Sequence, residues 1–217
     1  MPSQNVEEYI EALFRLGATE KAVSTGDLAE KLGVAAPSVT TMLKRLVRDG
    51  LVTHEPYRGI ALTDKGRALS FSLLRRHRLS ERLLTDMIGL SWDKVHDVAC
   101  KLEHVIAGEL EDDVYAALGR PDTCPHGHPM NVAEVAPDAT LFDLPSDEPA
   151  IVTMVAEESA DFLQYLSQIG IAPGTEVRVV ERAPFGDVIT IDCGGSSHTI
   201  GKDVAVKIWV RPKEDGE

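Results

Sequence analysis

The sequence Cys100-Lys101-Leu102-Glu103-His104 places a thiol, a carboxyl group and an imidazole at positions i, i+3 and i+4. If the stretch is helical, these three side chains share one face of the helix. A soft, a hard and a borderline ligand on one face suit a first-row divalent metal better than magnesium or calcium. The stretch therefore predicts a metal-binding helix.

Ligand-type residues recur at helical spacing elsewhere in the chain, as pairs one turn apart. These pairs are His96 with Cys100, His77 with Glu81, and Glu8 with Glu11. Any one pair alone would more often be a solvated helix face. Together, three ligand-bearing helices favour a shared metal centre.

The composition is ordinary for a soluble globular protein, with 43% apolar and 26% charged residues among 217. No window approaches 18 consecutive apolar residues, so we expect no membrane span. The N-terminus lacks the basic-then-apolar start of a signal peptide. Cys100, Cys124 and Cys193 form no CxxC motif, which favours reduced thiols and a cytoplasmic protein.

Charge is distributed unevenly along the chain. The formal net charge is −13, yet residues 40–78 contain nine basic and three acidic residues. One basic segment inside an acidic protein is compatible with nucleic-acid binding, which the net charge alone would disfavour.

The N-terminal residues predict a winged helix-turn-helix. Amphipathic patterns indicate a helix over 6–16, a second with Thr25 as N-cap and Gly33 as its end, and a third with Pro37 at its first position. Residues 51–55 and 59–63 then read as a β-hairpin with Pro56, Tyr57 and Arg58 at its tip. The alternative is an amphipathic helical domain with a polar surface, which explains neither the order of the elements nor the basic clustering.

In a winged helix-turn-helix, polar residues at the start of the recognition helix reach base edges in the major groove, and basic residues contact phosphates. The candidate DNA-binding residues are Thr25, Pro37, Ser38, Thr40, Thr41, Lys44, Arg45 and Arg58.

The middle of the chain predicts two further helices. One runs over 65–89, and the next is capped by Ser91 or Asp93 and carries the central ligand stretch. Val95, Val98, Leu102, Val105 and Ile106 form an apolar stripe on that second helix. Apolar surface left over after a DNA-binding module indicates a dimer interface.

The last third of the chain changes in composition and period. Residues 120–149 contain six of the twelve prolines and predict a linker, although Cys124-Pro125-His126 is unusual in a linker. Strands are then predicted at 151–156, 175–181, 187–192, 196–200 and 204–210, with one helix at 160–169 and a turn at Gly194-Gly195. Short strands of this number indicate a small SH3-like barrel.

With these elements in this order, the chain resembles the diphtheria-toxin-repressor family of metal-dependent transcription regulators. The matching stretches are Glu7-Glu8-Tyr9-Ile10, residues 77–84, residues 94–97 through Glu103-His104, Cys124-Pro125-His126-Gly127 and the barrel. The resemblance covers nearly the whole chain and implies a homodimeric repressor that binds a palindromic operator in double-stranded DNA when it is loaded with metal.

The resemblance also implies the ligands. A primary site would use Cys100, Glu103 and His104 with a first-helix ligand, at which the iron branch has Met and this chain has Glu8. Barrel-bearing manganese regulators use the Cys-Pro-His element with the Glu81 position and an acid such as Asp161. The full predicted ligand list is Glu8, Glu11, His77, Glu81, His96, Cys100, Glu103, His104, Cys124, His126, Glu158 and Asp161, and His54, His128 and His198 are left out as non-ligands.

The metal preference implied is Mn(II), with Fe(II) as the alternative. Exchanging a thioether for a carboxylate hardens the site and favours Mn(II). The chain departs from both branches, however, because small manganese regulators carry Glu at the Cys100 position and lack the barrel.

The predicted fold is mainly α with a small β domain. The expected domains are the winged helix-turn-helix (1–70), a helical dimerisation and metal-binding domain (71–120), a Pro-rich linker (121–149) and the SH3-like domain (150–212). Two competing functions remain: a metal-independent winged-helix regulator that senses a small ligand, and a metal-dependent hydrolase. No HExxH, GxSxG or P-loop pattern occurs, so we expect no enzyme.

Overall fold

A computed structural model describes residues 3–55, 58–131 and 139–213 of the chain. The chain divides into two compact units, Met1–Arg76 and His77–Glu217. Among the described residues, none of the helices combines the length and apolarity needed to cross a bilayer.

The first unit is a winged helix-turn-helix, as predicted. Its elements are α1 (Gln4–Arg15), α2 (Thr25–Leu32), α3 (Ala36–Arg48), β1 (Val52–Glu55), β2 (Gly59–Leu62) and the start of α4 (Asp64–Arg82). The two strands pair antiparallel, with Val52 opposite Leu62. The core combines the apolar faces of the three helices, which include Ile10, Leu28 and Leu43, with residues of the strands and of α4. Of the predicted hairpin tip, Pro56 and Tyr57 lie outside the described residues.

Two predicted details of the helix starts are wrong. The N-cap of α2 is Ser24, whose hydroxyl accepts a hydrogen bond from the Asp27 amide at 3.0 Å, so Thr25 is the first helical residue. Pro37 occupies the second position of α3, because the helix already begins at Ala36. The end of α2 is as predicted, since Gly33 adopts φ 63°, which favours glycine.

A buried ion pair in this unit was not predicted. The guanidinium of Arg76 on α4 lies 3.1 Å from the Glu7 carboxylate on α1, and the two side chains are only 5% and 6% exposed. The pair therefore connects the first helix of the unit to α4.

The helical part of the second unit differs from the prediction in two places. α4 ends at Arg82 and is followed by a π-helical turn, Leu83–Met87, so the predicted helix over 65–89 is not one α-helix. α5 (His96–Leu102) begins without a side-chain cap, so neither Ser91 nor Asp93 caps it. α6 (Glu109–Ala117) follows Gly108.

The apolar stripe predicted on the second helix is only partly buried. Val95 and Ile106 are buried, whereas Val98 and Val105 are 42% and 64% exposed. Glu103 and His104 lie just beyond the end of α5, with Glu103 still in the αR conformation, so the ligand stretch spans a helix terminus.

The C-terminal part is a six-stranded sheet in the order β3-β8-β4-β5-β6-β7. The strands are β3 (Ala139–Thr140), β4 (Pro149–Val155), β5 (Glu176–Arg182), β6 (Val188–Cys193), β7 (Ser196–Gly201) and β8 (Ile208–Pro212), with helices α7 (Ala160–Gln168) and α8 (Lys202–Ala205). Gly194 and Gly195 both have positive φ and form the predicted turn. The predicted strand at 204–210 is partly wrong, because its first residues belong to α8.

Candidate metal centre

His77 and Glu81 lie one turn apart near the end of α4 and are almost fully buried. His77 Nδ1 is 2.6 Å from Glu103 Oε2, and His77 Nε2 is 3.1 Å from Glu81 Oε1. The imidazole is therefore held between a carboxylate of its own helix and one that follows α5.

The Glu81 carboxylate is the central acceptor of the cluster. Its Oε1 lies 3.2 Å from His126 Nδ1 and 3.7 Å from His96 Nδ1, in addition to the contact with His77. Its Oε2 is buried and has no hydrogen-bond partner among the described residues. A buried carboxylate oxygen without a partner is costly unless a cation or donor satisfies it.

Cys100 projects towards the same histidines from α5. Its Sγ lies 3.7 Å from His96 Nε2 and 4.0 Å from His77 Nδ1. Ligand atoms of His77, His96 and Cys100 all lie within 4.8 Å of one another. One thiol and two imidazoles at this spacing form a set that a transition metal could occupy.

A loop after α6 supplies a second thiol and imidazole. Ligand atoms of Glu81, Cys124 and His126 lie within 4.8 Å of one another, and all three residues are buried. Cys124 and His126 come from a tight turn, in which the Cys124 amide donates to the His128 carbonyl at 2.9 Å. Glu81 thus belongs both to this group and to the one around His77.

Glu158, which follows β4, reaches the cluster with both carboxylate oxygens. Oε2 lies 3.2 Å from His96 Nδ1, and Oε1 lies 3.1 Å from His128 Nε2. His128, which was predicted to be a non-ligand, is therefore a neighbour of the cluster. Asp161 is exposed and, within the described parts of the chain, belongs to none of the groups with metal-ligand spacing.

His104 and the two first-helix acids, Glu8 and Glu11, are also among the predicted ligands. His104 Nε2 is 3.7 Å from Glu103 Oε1. In the first unit, Glu11 pairs with Arg15 at 2.9 Å, and Glu8 accepts a hydrogen bond from Gln4 at 3.2 Å. Their roles as ligands stay predictions.

The electrostatics of the cluster favour protonated imidazoles when no metal is bound. Burial lowers the pKa of His77, but its hydrogen bonds to Cys100, Glu103 and Glu81 outweigh burial and hold that pKa well above its usual value. Close contacts with Cys100, Glu158 and Glu81 raise the pKa of His96 to about 11.

The acidic partners show the opposite shifts. Burial raises the pKa of Glu81, but the close contacts with His126, His77 and His96 outweigh it and hold that pKa well below its usual value. For Cys100, burial is likewise outweighed by the two histidines, which lower its pKa to about 7. Cys124 differs, because burial and the nearby Glu81 and Glu158 charges raise its pKa well above normal.

These groups fit a divalent transition metal. Carboxylates, imidazoles and thiols surround buried atoms that have no hydrogen-bond partner in the described parts of the chain. The raised pKa values of His77, His96 and His126 favour a proton where a cation would be attracted. Metal binding to such ligands displaces protons, since imidazole and thiol bind metal in their deprotonated forms.

The predicted DNA-binding residues form a surface on the first unit. Ser38, Thr40, Thr41, Lys44 and Arg45 are all exposed on α3. A groove of about 620 Å³ is lined by Asn5, Tyr9, Ser38, Thr41, Met42, Lys44, Arg45 and Arg48. Arg58 on the wing is exposed beside Glu55, and Thr25 is half-buried at the start of α2.

Family models match three consecutive segments of the chain. Residues 1–60 match the N-terminal DNA binding domain of the iron dependent repressor, and residues 63–131 match its metal binding and dimerisation domain. Residues 139–212 match the FeoA domain. The six-stranded sheet is therefore the predicted SH3-like domain, and the predicted fold class is confirmed.

Curated relatives extend the match to the whole chain. The iron-dependent repressor IdeR of Mycobacterium leprae (strain TN) is 34% identical over 220 residues, covering 94% of this chain and 95% of that protein. The chain belongs to the diphtheria-toxin-repressor family. The diphtheria toxin repressor of Corynebacterium diphtheriae (strain ATCC 700971 / NCTC 13129 / Biotype gravis), another member, is 32% identical over 218 residues, covering 94% of this chain and 95% of that protein.

Solved structures of similar repressors support the same family assignment. A manganese-dependent transcriptional repressor in complex with manganese has a TM-score of 0.82 at 30% identity, covering 96% of this chain and all of that one. ScaR with bound Zn²⁺ has a TM-score of 0.77 at 27% identity, covering 98% of this chain and 100% of that chain. This chain thus has the DNA-binding domain and the metal-binding and dimerisation domain of a family of transcriptional repressors.

Sequence reasoning missed two features of this diphtheria-toxin-repressor family member. The Glu7–Arg76 pair carries no sequence signal, because nothing local distinguishes Glu7 from its exposed neighbour Glu8. His128 did carry a signal, since Cys124, His126 and His128 are ligand-type residues at alternate positions in one short segment.

Proposed function

We propose that this chain is a cytoplasmic metal-activated repressor that binds a palindromic DNA operator as a homodimer and acts by binding rather than by catalysis. The observation that carries the proposal is the buried cluster around Glu81, in which one carboxylate oxygen has no partner among the described residues. The exposed hydroxyl and basic side chains of α3 support the DNA-binding part of the proposal.

The proposed metal is Mn(II), with Fe(II) as the alternative. The cluster contains three carboxylates, Glu81, Glu103 and Glu158, and carboxylate oxygens suit Mn(II). Cys100 and the imidazoles also suit Fe(II), and the relatives include both iron-dependent and manganese-dependent repressors. Mn(II) and Fe(II) are neighbours in affinity order, so availability contributes to the choice.

A bound divalent cation would supply a positive centre that several anionic and imidazole ligands share. The residues that would hold it come from four segments: α4 with His77 and Glu81, α5 with His96 and Cys100, the Cys124 loop, and Glu158 after β4. Without it, the contacts of protonated imidazoles with carboxylates link these residues. The ligands therefore favour one arrangement of the four segments more strongly in the loaded state.

We propose that this arrangement is the one that binds DNA. Metal binding then shifts the conformational equilibrium towards the state that binds DNA. The coupling is reciprocal, so operator DNA also increases the affinity for metal. A shift from 1% to 99% competent needs about 5.5 kcal/mol of differential affinity, a scale that metal binding can supply.

Exposed apolar side chains support the homodimer. Met87, Ile88, Val98, Val105 and Leu110 are between 42% and 67% exposed, and all lie in or beside the segment that matches the family's dimerisation domain. Apolar residues concentrated on one segment of a protein surface mark an interaction site.

A mobility-shift series tests the proposal. An operator would first be selected from random palindromic DNA with Mn(II)-loaded protein and then titrated in the presence of Mn(II), Fe(II), Zn(II) or chelator. We expect specific binding only with metal, and a steep decline with salt, of about 0.9 log units of affinity per log unit of salt for each phosphate contacted. Specific binding of full strength in chelator would refute metal activation.

A variant of the loop provides the matched control. The Cys124→Ser, His126→Ala double variant should bind fewer metal ions than the wild type, whereas Cys193→Ser, at a buried thiol of the sheet outside the cluster, should not. Equal stoichiometry in wild type and double variant would remove the loop from the proposed centre.

A further inference from the structure

His128 lies beside Glu158, but the geometry of their contact is not that of a hydrogen bond. The His128 Nε2 atom is 3.1 Å from Glu158 Oε1, which is within hydrogen-bond distance. The nitrogen is nevertheless buried and has no partner of suitable hydrogen-bond geometry among the described residues. A buried imidazole nitrogen in this situation requires an explanation.

The backbone fixes this proximity. The loop turns tightly, with Gly127 donating to the Cys124 carbonyl at 3.0 Å, and the Val155 amide at the end of β4 donates to the His126 carbonyl at 2.9 Å. Gly127 has φ 88°, and a Cβ there would lie 1.9 Å from the Thr153 carbonyl oxygen. Only glycine permits this close approach, so the loop is held against β4, three residues before Glu158.

The distance between His128 Nε2 and Glu158 Oε1 is what is expected for two ligand atoms that bind the same metal ion. With metal–ligand bonds of about 2.1 Å, neighbouring ligands lie about 3.0 Å apart in an octahedron and about 3.4 Å apart in a tetrahedron. The 3.1 Å between Nε2 and Oε1 falls in this range, and the poor hydrogen-bond alignment is expected if both lone pairs point to a shared position.

We propose that His128 is a metal ligand of this chain and that its Nε2 binds the same first-row divalent ion as Glu158. The loop then contributes three ligands, Cys124, His126 and His128, from alternate positions. The inference rests on the proposed metal-dependent function. It differs from a positioning role, in which His128 would only donate a hydrogen bond to orient the Glu158 carboxylate.

Two variants of the full-length protein separate the two roles. His128→Ala removes the imidazole, and His128→Gln keeps a donor that could orient Glu158 but is a poor transition-metal ligand. His198→Ala, in strand β7 of the same unit, is the matched control. Circular dichroism of the metal-free proteins checks that each variant folds.

The readouts are the affinity and stoichiometry for Mn(II) by equilibrium dialysis and the visible absorption of the Co(II)-loaded protein, which reports ligand number and type. We expect both His128 variants to bind Mn(II) at least about tenfold more weakly at one site, the size of loss typical for disturbed metal sites. Both should also alter the Co(II) spectrum, while His198→Ala changes neither.

Each other outcome would overturn the inference. If His128→Gln matches the wild type while His128→Ala does not, His128 only orients Glu158. If both variants match the wild type, His128 has no role in metal binding. A wild-type protein that binds no divalent metal would overturn the proposed function as well, which distinguishes the two failures.

Discussion

The buried ion pair between Glu7 and Arg76 is expected to stabilise the DNA-binding unit. Their charged atoms are 3.1 Å apart and both side chains are nearly inaccessible to water. Two unit charges about 4 Å apart at an effective dielectric of about 20 attract each other by about 4 kcal/mol. Truncating one partner leaves the other buried without its opposite charge, at a cost of about 3–5 kcal/mol.

We therefore expect Glu7→Gln and Arg76→Met each to lower the free energy of unfolding by about 3–5 kcal/mol. The double variant should lose less than the sum, by a coupling energy of about 2 kcal/mol or more, because both charges of the pair are then removed together. The consequence for function is direct, since the pair joins α4 to the helix that carries the predicted ligands Glu8 and Glu11.

Urea unfolding of the metal-free protein measures these energies. Far-ultraviolet circular dichroism follows the helices of both units, whereas tryptophan fluorescence follows the second unit, because Trp92 and Trp209 both lie there. A change of the unfolding transition that circular dichroism detects and fluorescence does not therefore belongs to the first unit. The control is Glu55→Gln, which breaks an exposed pair with Arg58 at 3.2 Å and should cost less than about 1 kcal/mol. Single variants at Glu7 and Arg76 that cost no more than this control, or that add without coupling, would refute the reasoning.

The remaining predictions concern metal and DNA. Operator binding can be compared as a ratio, activation by Mn(II) over activation by Co(II). Glu8→Met should lower this ratio at least about tenfold, or 1.4 kcal/mol, because a thioether is a softer ligand than a carboxylate. An unchanged ratio would mean that Glu8 is a solvated acid. In mobility-shift assays, Arg58→Ala should lower the affinity for all DNA sequences alike, whereas Thr41→Ala should change which sequence is preferred. Equal effects of the two variants would contradict a phosphate contact for Arg58 and a base contact for Thr41. Mn(II) affinity measured by dialysis should rise between pH 6 and pH 8, by about tenfold per pH unit for each displaced proton. The reason is that His96, with its pKa raised to about 11, must lose a proton to bind metal, so a flat profile would argue against His96 as a ligand.

Local patterns predicted most of the fold. The 3.6-residue periodicity of α3 placed Val39, Leu43 and Leu46 inward and its hydroxyl and basic residues outward, as observed. Periodicity was less informative where a helix changes type. The apolar pattern continues past Arg82, and the sequence does not reveal that the backbone changes from α to π hydrogen bonding there.

The candidate site could be predicted in its parts but not in its pairing. Residues one turn apart, such as His77 and Glu81, are brought together by the helix itself, so their spacing alone is sufficient. The choice between Glu158 and Asp161 was beyond the sequence, since both are acids close to the start of α7. The structure places Glu158 against His96 and leaves Asp161 exposed.

The sequence by itself determined the helical and strand segments, the recognition-helix surface and most ligand-type residues, because these depend on interactions over a few positions. Only the tertiary structure decided which oxygen and nitrogen atoms meet. Glu81 Oε1 lies near imidazoles from three segments, and the closeness of His128 to Glu158 depends on Gly127 packing against Thr153. Such contacts join residues far apart in the chain, and their geometry depends on how the segments pack rather than on local spacing.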